Sequence, residues 1–341
     1  MNRQDPAIAW LLSSRDPSVR YFTLVDLLDE SSTSKAMVVA RHRIPLGARY
    51  RTLLSGQLNR DSTLKKGSRG GLWVKFAGQY GGFGVHPYQK WTGAHWRLVS
   101  LVELGMPKLD KRGIAAAEQV LRWLCSKHHR KYIRKINGLT RRCASQEGNA
   151  VGVCSRLGLA NDSRVVRLVE SLVEWQWPDG GWNCDIRPSA HHSSFNESLS
   201  TMWGLIEYHR ATGDHASLAA AGRTAEFFLR HRLFRSERTG KPVRSEWLKL
   251  HYPLYWHYDI LQSLRVLSMM GKTSDPRAQE ALDIIESKRD SYGLWTVEGR
   301  HWAPLGQKKS NVDVVDWGRR GPNEMITLNA LRVLKSAARI S

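Results

Sequence analysis

The sequence predicts an all-α chain in which inner and outer helices alternate, with a helical extension at its N-terminus. Three observations carry this. Apolar residues recur at spacings of three and four through residues 115–124, 165–175, 224–229 and 278–285, the stripe of a helix with one buried face. A different set lies between them, at 93–104, 148–157, 198–208, 260–269 and 325–337. These are apolar around more of their circumference and mix in small residues, as helices covered on both sides do. Finally, acids near the starts of this second set fall at a loose period: Glu147 to Glu197 is 50 residues, Glu197 to Asp259 is 62, and Asp259 to Glu324 is 65. Two helices per period predict a helical repeat array or a closed ring.

Along the chain, residues 7–12 and 16–28 read as a first helix pair, with Asp16-Pro17 as a helix start. Residues 31–34 and 65–71 read as loops. No linker rich in Pro or Ser divides the chain, so residues 1–79 are assigned to the extension and 80–341 to the repeat domain. Gly105, Gly158, Gly213 and Gly271 follow second-set helices and are expected as C-caps. Residues 312–315 are the nearest approach to a strand, but the run is short and carries Asp313. Strand content is expected below about 10%, against a base rate of about 20–25%.

Composition narrows the class. The 341 residues hold 52 Lys+Arg against 31 Asp+Glu, a formal net charge of +21, with 14 Trp and only 4 Cys. The cysteines are too few for a disulfide scaffold, and no CxxC occurs. No apolar run approaches the roughly 18–20 residues of a membrane span. The first twelve residues lack the apolar stretch of a signal peptide, which predicts a cytoplasmic protein.

Two turns look alike: Pro178-Asp179-Gly180-Gly181-Trp182 after one amphipathic helix, and Asp290-Ser291-Tyr292-Gly293-Leu294-Trp295 after another. A third candidate, Gly81-Gly82-Phe83-Gly84, precedes the first covered helix. Residues 174–182 (EWQWPDGGW) resemble the Gln-Trp repeat of squalene-hopene cyclases and the related protein prenyltransferases, with Gln176, Gly180 and Trp182 on the pattern. Residues 288–295 fit it less fully, since they have no Gln. The chain is also similar to bacterial toroid proteins grouped loosely with squalene cyclases. The resemblance spans roughly residues 80–337 and implies the α/α toroid, a double ring of alternating inner and outer helices around a central cavity. It implies the fold more strongly than the reaction. The cyclases' Asp-x-Asp-Asp proton donor is missing, as is a second lipid-binding domain. The prenyltransferases' zinc-binding Asp-x-Cys is replaced by Cys184-Asp185, adjacent and in reverse order.

In such a ring the inner-helix starts open on the cavity, and polar residues gather at those starts. The candidate catalytic residues are Glu147, Glu197, His192, His251, His257, Asp259 and Glu324. Candidate substrate-binding residues are Lys90, Trp91, His95, Arg142, Asn196, Tyr252, Trp256, Tyr258, Trp317 and Arg319. Two readings of the acids stay open: helix capping, because a carboxylate complements the macrodipole, or a ring of acids and histidines for general acid–base chemistry. No cofactor is expected; zinc or magnesium is the weaker option, with Cys184, Asp185, His191, His192 and His251 available as ligands. Cys125 and Cys154 fall in apolar helix patterns and read as core thiols. Glu207, on the same helix about three turns along from Glu197, is expected to tolerate replacement by Gln.

Three functions follow. The first is a terpenoid cyclase- or prenyltransferase-like cavity enzyme on an isoprenoid or other anionic substrate. The second is a carbohydrate-active lyase or hydrolase on an acidic polysaccharide. The third is a non-catalytic helical repeat that binds nucleic acid. Residues 122–142 hold eight Lys/Arg and no acid, and residues 35–75 hold ten with Asp61 as the one acid. Those runs point to a polyanionic or phosphate-bearing partner.

Overall fold

A computed structural model describes residues 1–56 and 83–340. It is mainly helical among those residues. The expected 79/80 boundary, the 65–71 loop, the Gly81-Gly82 half of the third turn, and the part of the second basic run beyond residue 56 lie outside them. The chain forms two compact units. One comprises Met1–Thr52, Phe228–Leu305 and Val315–Ser341; the other comprises Leu53–Phe227 and Gly306–Val314.

The second of these units contains α5 (Ala94–Glu103), α6 (Lys111–Leu124), α7 (Lys127–Arg130), α8 (Ala144–Arg156), α9 (Ser163–Glu174) and α10 (Phe195–Thr212). Helix α9 packs on α8, and α8 packs most extensively on α10. The α8–α10 pair is parallel. Ser145 meets Glu197 at one end, and Arg156 pairs with Glu207 at the other, 3.2 Å apart. Glycine makes this approach so close. A Cβ on Gly148 would lie 2.5 Å from Thr201 Cα, one on Gly204 would lie 2.1 Å from Gly148 O, and one on Gly152 would strike the Trp203 ring. Gly148 and Gly204 are therefore contact points between backbones, and Gly152 makes room for the Trp203 ring.

The first unit contains α1 (Pro6–Leu12), α2 (Pro17–Phe22), α3 (Lys35–Arg43), α12 (Ile260–Ser268), α13 (Gln279–Ser287) and α14 (Glu324–Ser336). A π-helical turn, Thr23–Leu27, continues α2. Asp5 and Asp16 accept backbone N–H groups at the starts of α1 and α2, each with Pro at the first position. Helix α14 packs against α12, α13, α1 and α2. It runs parallel to the α2 segment: Arg49 bridges Asp16 and Glu324 at the N-terminal ends (3.1 Å each), and Arg332 binds Asp26 further along. The N-terminal helices thus pack on the last helix. Helix α4 (Ala48–Leu54) and helix α11 (His215–Arg230) each span a boundary between the two units.

The two similar turns are built alike. Trp182 Nε1 donates to Leu172 O (2.9 Å), and its backbone N–H donates to the Ser198 hydroxyl (3.1 Å). Trp295 Nε1 donates to Ile285 O (2.7 Å), and its N–H donates to the Thr327 hydroxyl (3.0 Å). Each indole reaches back ten residues into the preceding helix while its backbone N–H is anchored by a hydroxyl of the following helix. Gln176 completes the first turn, donating to Gly180 O (2.8 Å) and Ala220 O (2.9 Å). The four glycines expected as C-caps all have positive φ.

Among the described residues one hairpin departs from the helical pattern. Strands β1 (Arg134–Ile136) and β2 (Leu139–Arg141) pair antiparallel around Asn137-Gly138. Both turn residues have positive φ, 49° and 76°, as a two-residue hairpin turn requires.

Candidate functional site

Strand β2 leads into α8, and its backbone sets the site. Arg141 forms a parallel bridge with Asn183, and Arg142 N–H donates to Asn183 O (3.0 Å). The next residue on each strand is a cysteine, so Cys143 and Cys184 come together although they are 41 positions apart. Cys143 is the N-cap residue of α8. Glu197, in the first turn of α10, points into the same place. Its Oε2 accepts from Ser145 N–H (2.9 Å), and its Oε1 accepts from the Cys184 thiol (3.7 Å). The ligand atoms of Cys143, Cys184 and Glu197 lie within 4.8 Å of one another.

Glu147 sits one turn into α8, 1% exposed. Arg142 Nε donates to its Oε1 (2.8 Å), and His129 Nε2 lies 3.3 Å from the same oxygen. Its other oxygen, Oε2, is buried without a hydrogen-bond partner among the described residues. Aromatic rings stand behind His129: Trp123 meets it at 4.6 Å, Tyr88 meets Trp123 at 5.2 Å, and Tyr88 meets Trp96 and His95 at 4.9 and 5.2 Å.

Burial governs the proton affinities. It pushes the Glu147 carboxyl up to about 7 against the opposing Arg142. Burial also raises Glu197, against the Ser145 N–H. It drives His95 down to about 3, and with Arg142 beside it does the same to His129. Kept neutral, His129 accepts from Arg142 through Nε2. The contact between the thiols and burial push Cys143 up, while the same contact draws Cys184 down.

The expected site residues separate by unit. Glu147, Glu197, Arg142 and His95 join the cluster just described. Trp91 is buried edge-on to Trp96 at 4.9 Å, with Lys90 Nζ over its ring. Asn196 is half-buried beside Glu197, while His192 is exposed, its ring tilted against His191 at 4.0 Å. Among the proposed metal ligands of this unit, only Cys184 meets other donors: Asp185 is in an exposed pair with Arg187, and His191 binds Ser189 O.

In the other unit, His251 Nε2 bonds Glu246 (3.0 Å), its backbone N–H donates to Asp259 (3.2 Å), and its Nδ1 lies 3.6 Å from the same carboxylate. Burial alone would lower its proton affinity, yet these two carboxylates hold it above the ordinary value. His257 stacks on His301 at 3.6 Å and on Trp256 at 3.9 Å. Asp259 caps α12, and Tyr258 donates to Leu233 O. Tyr252 packs edge-on to Trp317 at 5.3 Å. Arg319 pairs with Asp316 on the surface, and Glu324 is bound by Arg49. Register separates the acids. The Trp anchors make Ser198 equivalent to Thr327, so the counterpart of Glu197 is Ile326, and Glu324 lies two residues earlier. Glu207, expected to tolerate replacement, is 5% exposed and pairs with Arg156.

His129 and Cys143 are the contributors that sequence reading did not single out. The basic run hid His129, and no local motif ties Cys143 to Cys184. The Asn-Gly hairpin signal inside that run was the available clue, since it is what folds Arg142 and Cys143 back onto Asn183. No protein-family model matches the chain, and no curated protein is significantly similar to it.

Proposed function

We propose that the chain is an α/α toroid enzyme of the terpenoid cyclase-like class, a cyclase or transferase that begins its reaction by proton delivery from Glu147. One observation carries this: a deeply buried carboxyl, clamped on one oxygen by Arg142, with its second oxygen unpartnered among the described residues and an aromatic cluster alongside. A carboxyl kept protonated near neutrality is a proton donor. The Glu147 carboxylate left after transfer keeps the Arg142 hydrogen bond. The faces of Tyr88, Trp96 and Trp123 suit an apolar substrate that develops positive charge. The ring reading is supported by the parallel α8–α10 and α2–α14 pairs and by the stacking of the N-terminal helices on α14.

The test is a substrate screen with prenyl diphosphates and uronate oligosaccharides, run on the wild type, Glu147→Gln and Glu170→Gln. Glu170 is exposed on α9. The proposal expects turnover of a prenyl substrate, lost by about a hundredfold or more in Glu147→Gln, which falls within the usual worth of a positioned acid, and retained in Glu170→Gln. Turnover of uronates alone, or full activity in Glu147→Gln, contradicts it.

A second reading has its own observation. Lys127, Arg130, Lys131, Arg134 and Lys135 are all exposed on α7 and the hairpin, with Tyr132 54% exposed among them. This face suits contact with a polyanion, as a docking surface beside the catalytic site.

A further inference from the structure

We propose that Cys143, Cys184 and Glu197 form a zinc site with three protein ligands and one open position. The donor set fits. Zinc binds thiolate sulfur at about 2.3 Å and carboxylate oxygen at about 2.0–2.2 Å in a tetrahedron, which places neighbouring donors roughly 3.6–3.8 Å apart. The three ligand atoms already lie within 4.8 Å of one another, and Cys184 Sγ to Glu197 Oε1 is 3.7 Å. Two soft thiolates select zinc over magnesium, which takes oxygen ligands.

Rigid backbone holds each donor. The Arg141–Asn183 bridge and the Arg142 N–H to Asn183 O bond fix the two cysteines side by side. The Ser145 N–H holds Glu197 Oε2 and thereby leaves Oε1 toward the thiols, the kind of outer contact that orients a ligating carboxylate. Cys143 and Cys184 are half-buried rather than sealed, so an ion has an entry path. Three ligands and an open fourth position are the arrangement of a catalytic rather than a structural zinc. The open position would take water or an anionic group of the substrate. This goes beyond the proton-donor reading and does not depend on it, because metal binding can be measured without a substrate.

The experiment titrates chelator-treated, reduced full-length protein with zinc against a chromophoric chelator, and in parallel with cobalt(II) followed by absorption. One ion per chain, with the intense near-ultraviolet bands of thiolate-to-cobalt charge transfer, is expected. Cys143→Ser, Cys184→Ser and Glu197→Gln should each weaken zinc by more than the 10–100-fold typical of losing an outer contact, and Cys125→Ser should bind like the wild type. Thermal melts of every variant show whether it is folded. If a ligand variant does not fold, the wild-type cobalt spectrum still decides. No stoichiometric binding, cobalt bands without thiolate character, or a wild-type signal retained in the double Cys143→Ser/Cys184→Ser variant overturns the proposal. So does a protein in which the two thiols form a disulfide that persists under reducing conditions.

Discussion

At the scale of single residues, buried titratable groups mark the molecule. His95 is 2% exposed, with Nε2 unpartnered among the described residues, and burial holds it at about 3 rather than 6.5. The folded state therefore refuses a proton that the unfolded chain accepts below about pH 6.5. The stability due to His95 is present above that pH and is lost as pH falls toward about 3. At pH 5 the loss is roughly 2 kcal/mol. Denaturant unfolding at pH 7 and pH 5 should show the wild type losing about that much more than His95→Gln; parallel losses would refute the neutral buried histidine. Glu147 has the opposite sign: its contribution is present at low pH and is lost as pH rises through about 7. These roles were only partly legible in the sequence. Glu147, Glu197, Arg142 and His95 stand at helix starts, where a period argument can find them. His129 reaches Glu147 from a four-residue helix in a charged run, which no periodicity marks.

Elements explain why the acids converge. The glycines of α8 and α10 let two helix backbones touch, so the first turns lie together and Glu197 caps the neighbouring helix through Ser145. That acid accepts a backbone N–H at the start of the neighbouring helix and also faces the thiols. Gly148→Ala would set a Cβ against Thr201 backbone, which cannot rotate away, and should cost at least about 1–3 kcal/mol. Gly222→Ala in α11 meets nothing within 4 Å and should be neutral or stabilising by about 0.5–1 kcal/mol. Chemical denaturation compares them, and equal effects would remove the close-contact account. The helices, the glycine C-caps and the repeated Trp turn were legible because each has a local pattern. The Asn-Gly hairpin was legible too, but the surrounding positive charge drew it into a surface run. The pairing of Arg142 with Asn183 was not, because a long-range bridge leaves no periodic trace.

For the whole molecule, the charge excess has a defined location in part. The five exposed cations of α7 and the hairpin predict binding to mixed-sequence DNA or heparin that weakens steeply with salt. Neutralising Arg130, Lys131, Arg134 and Lys135 to Gln should flatten the log–log slope by up to about 0.9 for each duplex phosphate that the protein no longer neutralises, without changing zinc binding. An unchanged slope would assign the affinity elsewhere, for example to Lys35, Arg41 and Arg43 on α3, which are also exposed. Among the described residues no helix is long and apolar enough to cross a membrane. The central claim is that this mainly helical chain keeps a protonated carboxyl at Glu147 for chemistry. Infrared difference titration of chelator-treated protein, wild type against Glu147→Gln, tests it most directly. A protonated carboxyl band present at pH 6, lost with a midpoint near 7 and absent from Glu147→Gln is the expected result. A Glu147 already ionised at pH 5.5 would contradict the account.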